Sequence, residues 1–170
     1  MTPALAKANN GNWQTARRWH SFLAPIARVA LAREWTGQPA DALIALHARR
    51  SAGSIERFHA RHPARGLALV LTGTDLYRDI ATDPTAAQSL ARAHIIVGLQ
   101  SEAPRELPLG LRGRARVIVQ SSPARQRIES ARFTLVAVGH LREEKDPRTW
   151  WRAIGRLSAG HGMQFVQLGG

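Results

Sequence analysis

The chain predicts an α/β fold, a doubly wound parallel sheet, on three observations. Seven short apolar runs alternate with amphipathic stretches. The runs are apolar on both faces, as strands lying between two layers of helices are. Two of the intervening stretches open on Asp followed by Pro, the N-cap and first-turn pair of a sharply starting helix. Strand and helix in alternation means parallel strands joined by helical crossovers.

Taken in order, Met1-Thr2-Pro3 stands where the end of a first, central strand belongs, so most of that strand is expected to lie outside the sequence. The turn Asn9-Asn10-Gly11-Asn12 leads into a helix over Trp13 to Leu23, with Ala16, Trp19 and Leu23 on one stripe. Strands are expected over Arg28 to Arg33 and Ala42 to Ala48, a helix over Ser51 to Arg61, and a strand over Leu67 to Thr72. Asp83 caps a helix over Pro84 to Ala93, and strands follow at His94 to Leu99 and Ala115 to Gln120. Ser121 to Arg132 is polar and contains Pro123, so it reads as a linker between a domain at 1–120 and a second unit at 133–170. That unit has a strand at Phe133 to Val138, a helix at Pro147 to Leu157 behind Asp146, and a strand at Met163 to Leu168. It reads as a βαβ fragment, expected to be the start of a larger domain.

Composition excludes several classes of protein. With 44% hydrophobic and 21% charged residues the chain builds a core and is neither disordered nor of low complexity. No apolar run reaches the ~18 residues of a membrane span, and Met1 to Asn12 lacks the pattern of a signal peptide, which points to the cytoplasm. Zero cysteines exclude disulfides, thiol nucleophiles and Cys-based zinc sites. His59 and His62 are three apart on a helix without a third ligand nearby, so no metal site is assigned. The net charge of +12 invites a second class of function, a small basic nucleic-acid-binding protein. Against it, the arginines are scattered, and the Trp residues sit mainly in helix stripes such as Trp150, Trp151, Ile154 and Leu157, not on a base-stacking platform.

Four loops after strands carry the polar chemistry. Asn10-Gly11-Asn12 is either an anion site at a helix start or a plain N-cap by Asn12. His47, with Arg49 and Arg50, follows an apolar strand where open α/β sheets hold ligands; the alternative for His47 is a hydrogen-bonded structural residue. Thr72-Gly73-Thr74-Asp75 follows the next strand, either lining the same cleft or forming a turn in which Asp75 satisfies backbone donors. In Val138-Gly139-His140-Leu141-Arg142-Glu143-Glu144-Lys145-Asp146-Pro147, a Gly turn precedes two basic side chains, His140 and Lys145, that suit a diphosphate; the alternative is a solvated charged loop.

These four stretches together resemble the retaining glycosyltransferases of GT-B architecture, the large family four. NNGNWQTARRW, ALHARRSA, LTGTDLYRDI and VGHLREEKDP are most similar to its selenosugar-forming subfamily, which belongs to selenoneine biosynthesis. The resemblance implies an N-terminal Rossmann-like acceptor domain followed by the start of a Rossmann-like nucleotide-sugar domain. It implies transfer of a sugar, N-acetylglucosamine, from a UDP-sugar co-substrate to selenophosphate, with no cofactor. Lys145 and His140 would bind the donor diphosphate, with Asn10, Gly11 and Asn12 facing the phosphates from the first domain. His47, Arg49, Arg50, Thr72, Thr74 and Asp75 would line the acceptor side. Two departures stand out: His140 replaces the usual Arg, and Thr72 stands where relatives that activate a hydroxyl often have His. An anionic selenium nucleophile is already deprotonated and needs positioning and charge neutralisation, not a base. The Glu-rich donor-ribose motif of the family would lie beyond Gly170, so the resemblance implies an incomplete donor site and an inactive chain, with no catalytic residue assigned. A general retaining glycosyltransferase with another acceptor is the alternative.

Overall fold

The computed structural model describes every residue except 9, 125, 127–131, 140, 142, 158–161 and 170. The chain forms two compact units, Met1–Ser121 and Ser122–Gly170. Six of the seven apolar runs are strands. In the first unit β1 (Ala42–Leu46), β2 (Gly66–Leu71), β3 (Ile95–Gly98) and β4 (Ala115–Val117) form one parallel sheet in the order β1-β2-β3-β4. Leu43 stands opposite Leu67, Leu69 opposite Ile96, and Val97 opposite Arg116.

The period of two divides each strand between two helical layers. Leu43, Ala45, Leu67, Leu69, Leu71 and Ile96 pack with Ile55 and Phe58 of α2 (Ala52–Arg61) and with Ala86 and Leu90 of α4 (Pro84–Arg92). The intervening residues Leu46, Val70 and Val97 pack instead with Ala16 and Trp19 of α1 (Gly11–Leu23). Trp35 closes the first layer edge-on to Phe58, ring centroids 5.2 Å apart. Between β2 and α4 the chain makes a π-helical turn, Asp75–Asp79, and the short helix α3 (Ile80–Thr82). The N-cap at Asp83 forms as expected, its carboxylate accepting from the Thr85 and Ala86 amides.

Three expectations are corrected. Arg28 to Arg33 is not a strand: among the described residues its one backbone bond to a neighbouring extended segment runs from Thr2 N–H to Ala32 C=O, too few for a ladder. Met1 and Thr2 themselves lie beside β1, the Met1 nitrogen donating to Ile44 and Leu46 N–H donating to Met1 C=O. The run at 115–120 shortens to Ala115–Val117, an edge strand with Val117 to Val119 exposed. Helix α1 begins at Gly11, not Trp13, and its N-cap is Asn10: the Asn10 side chain accepts from Trp13 N–H, and Asn12 is already inside the helix.

In the second unit β5 (Thr134–Val138) and β6 (Gln164–Leu168) pair in parallel, joined through α5 (Pro147–Gly155). Asp146 caps α5, accepting from Thr149 N–H from a left-handed backbone, φ +43°. The expected apolar stripe of α5 is only half covered: Trp150 and Ile154 are half-buried, whereas Trp151 and Leu157 are exposed. Two strands offer too little surface to bury it. Among the described residues no helix is long and apolar enough to cross a membrane.

Candidate functional site

The carboxyl ends of β1 and β2 gather the densest polar cluster of the first unit. After β1, His47 turns the chain through a left-handed backbone, φ +73°, a strained conformation for a residue with a side chain. Ser51 Oγ ties the following turn back to Leu46 C=O at 2.5 Å, and α2 then begins. Thr72 follows β2, and Gly73 at φ +121° supplies a conformation that few side chains tolerate.

Asp75 joins these two strand ends. Fully buried, its carboxylate accepts from the Ala48 amide at 2.9 Å and the Thr72 amide at 2.8 Å, with Thr72 Oγ1 at 3.5 Å. Sequence reasoning left two roles open for Asp75; the local backbone one is present, and the bond to Ala48 extends it across the sheet. His47 is also buried. Its Nδ1 accepts from Arg50 N–H at 3.4 Å and stands 4.0 Å from Asp75, while Nε2 stands 4.0 Å from Asp79. Burial pushes its pKa below the ordinary imidazole value; the nearby Asp75 opposes this and the Arg50 charge adds to it. The ring is therefore neutral at pH 7.

Asp79 and Asp83 were missed as members of this cluster, Asp83 having been read only as a cap. Asp79 Oδ2 accepts from Arg49 Nε at 2.8 Å and Oδ1 from Arg78 Nε at 3.1 Å, and Asp83 stands 3.8 Å from Arg49 Nε. The signal was present as acids at 75, 79 and 83, a four-residue spacing that puts them along one side of a helical stretch. Burial raises the Asp79 pKa, but the bonds from Arg49 and Arg78 outweigh it and hold the carboxyl below its usual value. The same bond to Asp79 raises Arg49 further.

Of the predicted acceptor-side residues, His47, Arg49, Thr72 and Asp75 thus meet in one network. Arg50 is exposed and reaches the cluster through its backbone, and Thr74 is half-buried at the start of the π-helical turn. Among the described residues no hydrogen bond or ion pair links Asn10, Gly11 or Asn12 to this cluster. A Cβ on Gly11 would meet nothing within 4 Å, so the first turn of α1 is open to approach.

In the second unit, β5 is followed by Gly139, whose φ of +150° turns the chain out of the sheet. Its amide is occupied by Leu168 C=O at 2.8 Å, and Gln167 Nε2 donates to its carbonyl at 2.8 Å. Lys145 lies in the short 3₁₀ turn before α5, its Cγ 3.9 Å from where a Gly139 Cβ would stand. Its ammonium has no carboxylate partner among the described residues. Asp146 already holds the first turn of α5, accepting from Thr149 N–H. His140, its predicted companion, lies outside the described residues.

Elsewhere the arginines do structural work. Arg57 donates to Trp35 C=O, Arg65 to Ala40, Arg112 to Leu107 and Arg105, and Arg114 to Ala91 and Ala93. An open groove of about 440 Å³ lined by Trp35, Thr36, Gly37, Arg57, Ala60 and Arg61 contains none of the predicted site residues. His62 stacks edge-on against Trp35 and Phe58, and among the described residues no three His, Asp or Glu side chains converge as metal ligands. No protein-family model matches the chain, and a search of curated proteins finds no match.

Proposed function

We propose that the chain belongs to a retaining glycosyltransferase of GT-B architecture that transfers N-acetylglucosamine from a UDP-sugar to selenophosphate. In that reaction the bond from the anomeric carbon to the UDP oxygen breaks, UDP leaves with the electron pair, and a carbon–selenium bond forms. The observation that carries the reading is the loop after β5. Gly139 turns the strand end away at φ +150°, and the Lys145 side chain lies beside it with no carboxylate partner among the described residues. A lysine whose stem lies beside a glycine turn at the carboxyl end of a parallel strand suits the phosphates of a nucleotide. On the acceptor side Thr72 has no basicity to lend, and its amide and hydroxyl both face Asp75, which suits a nucleophile that arrives ionised.

The test is direct. Titration of UDP-N-acetylglucosamine into the chain, read by amide chemical shifts, is expected to perturb Gly139, Lys145 and the start of α5. Adding selenophosphate to an enzyme containing the chain is expected to yield a selenosugar by mass spectrometry. No UDP-sugar binding by an enzyme containing the chain refutes the donor assignment. Transfer to a hydroxyl acceptor with none to selenophosphate leaves a general glycosyltransferase.

A further inference from the structure

The three acids after β2 have different partners. Asp75 holds the amides of Ala48 and Thr72, and Asp83 holds those of Thr85 and Ala86. Asp79 has no backbone amide among the described residues; its carboxylate is given over to the guanidinium groups of Arg49 and Arg78. The two ends of the Arg49–Asp79 pair also differ in exposure. The Asp79 side chain is 4% exposed and that of Arg49 41%. A buried carboxylate therefore grips the inner, Nε edge of a guanidinium whose two Nη groups have no partner among the described residues.

An arginine so held has lost the rotamer freedom that a free surface arginine must give up on binding. Its outer edge keeps a planar pair of donors, matched to two oxygens of a tetrahedral anion. His47, neutral and buried behind the pair, contributes shape and no charge. The π-helical turn that presents Asp79 closes Ile80 N–H onto Asp75 C=O, an enlarged turn of the kind frequent at functional sites.

We propose that Asp79 is a positioning residue that sets Arg49 to bind a tetrahedral oxyanion on its Nη edge, making the site at the ends of β1 and β2 selective for an anionic acceptor. The oxyanion site stands on this geometry; its role as acceptor site rests on the glycosyltransferase reading. Asp79 acts through Arg49 and touches no substrate.

Inorganic phosphate titrated into the full chain, followed by the ¹⁵N signal of Arg49 Nε–H, tests the site without any turnover. The wild-type signal is expected to shift saturably. Arg49→Lys, which keeps the charge and loses the fork, should weaken phosphate binding at least tenfold. Asp79→Asn, similar in shape, should weaken it about five- to tenfold. Glu56→Gln, which removes one negative charge from α2 at a residue paired with Arg92 and not with Arg49, should leave it unchanged; equal effects of Asp79→Asn and Glu56→Gln would mean charge alone matters and overturn the positioning role. In turnover, Asp79→Asn should raise the KM for selenophosphate and leave that for the UDP-sugar as it was. An Arg49 signal indifferent to phosphate overturns the proposal, and that measurement needs no variant to fold. Phosphate binding at Arg49 with no UDP-sugar binding would sink the glycosyltransferase reading and leave the oxyanion site standing.

Discussion

Replacing Asp75 by Ala should be among the most damaging single changes in the first unit. The side chain is fully buried, and its two oxygens accept from the Ala48 amide at 2.9 Å and the Thr72 amide at 2.8 Å. Removing the carboxylate leaves two buried donors without partners, and each orphaned group costs about 1–3 kcal/mol. The expected loss is about 2–6 kcal/mol, a large part of the ~5–15 kcal/mol that holds an ordinary domain together. Asp75→Asn separates the two bonds. Its carbonyl oxygen still accepts one amide, but its NH₂ group then faces the other donor, so about half the loss is expected. Urea denaturation followed by circular dichroism gives the free energies, and hydrogen exchange at Ala48 and Thr72 locates them. The order Ala worse than Asn worse than wild type, with accelerated exchange at both amides, is the expected result. A loss under about 1 kcal/mol for Asp75→Ala would refute the idea that this carboxylate joins the two strand ends.

Three further outcomes follow from the same structure. Lys145→Ala should weaken UDP-N-acetylglucosamine binding by about 1.5–3 kcal/mol, roughly 10- to 150-fold, by removing a charge-assisted phosphate contact, and unchanged affinity by calorimetry would take Lys145 out of the donor site. Gly98→Ala should destabilise the first unit by about 1–3 kcal/mol through overpacking, because a Cβ there would stand 2.3 Å from that of Ala103, and a thermal melt equal to wild type would show that the turn after β3 yields freely. Stability should also fall with pH below the ordinary imidazole value of 6.5. The folded state depresses the pKa of His47, so the unfolded chain takes up the proton first, and the stabilisation present above 6.5 is lost as pH drops toward the folded value. A second loss is expected below 3.8, where the unfolded chain protonates before Asp79 does. His47→Gln should reduce the upper step in a urea series from pH 8 to 5, the remainder belonging to the Met1 amino group, lowered to about 6 by burial, and to His62, also lowered by desolvation; an undiminished step would assign it to those groups alone.

The sequence by itself determined the elements that rest on local chemistry. Short runs apolar on both faces located β1 to β3, β5 and β6, because a buried parallel strand is apolar on both faces. The Asp–Pro pairs at 83–84 and 146–147 located the starts of α4 and α5, because a cap is made within three residues of its own position. Tertiary structure decided everything that depends on which distant groups meet. Two asparagines flank Gly11, and only the path of the chain made Asn10 the cap of α1. Nothing local distinguishes Asp75, Asp79 and Asp83, acids at equal spacing along one stretch. The parallel register of β1 against β2 sets Ala48 over Asp75, 27 residues away, and Arg49 over Asp79, 30 residues away. One carboxylate thereby became a backbone tie and the next the holder of an arginine. Such partners are chosen by sheet register, which comes from burying the apolar faces of all the strands together and is not encoded in any one stretch of sequence.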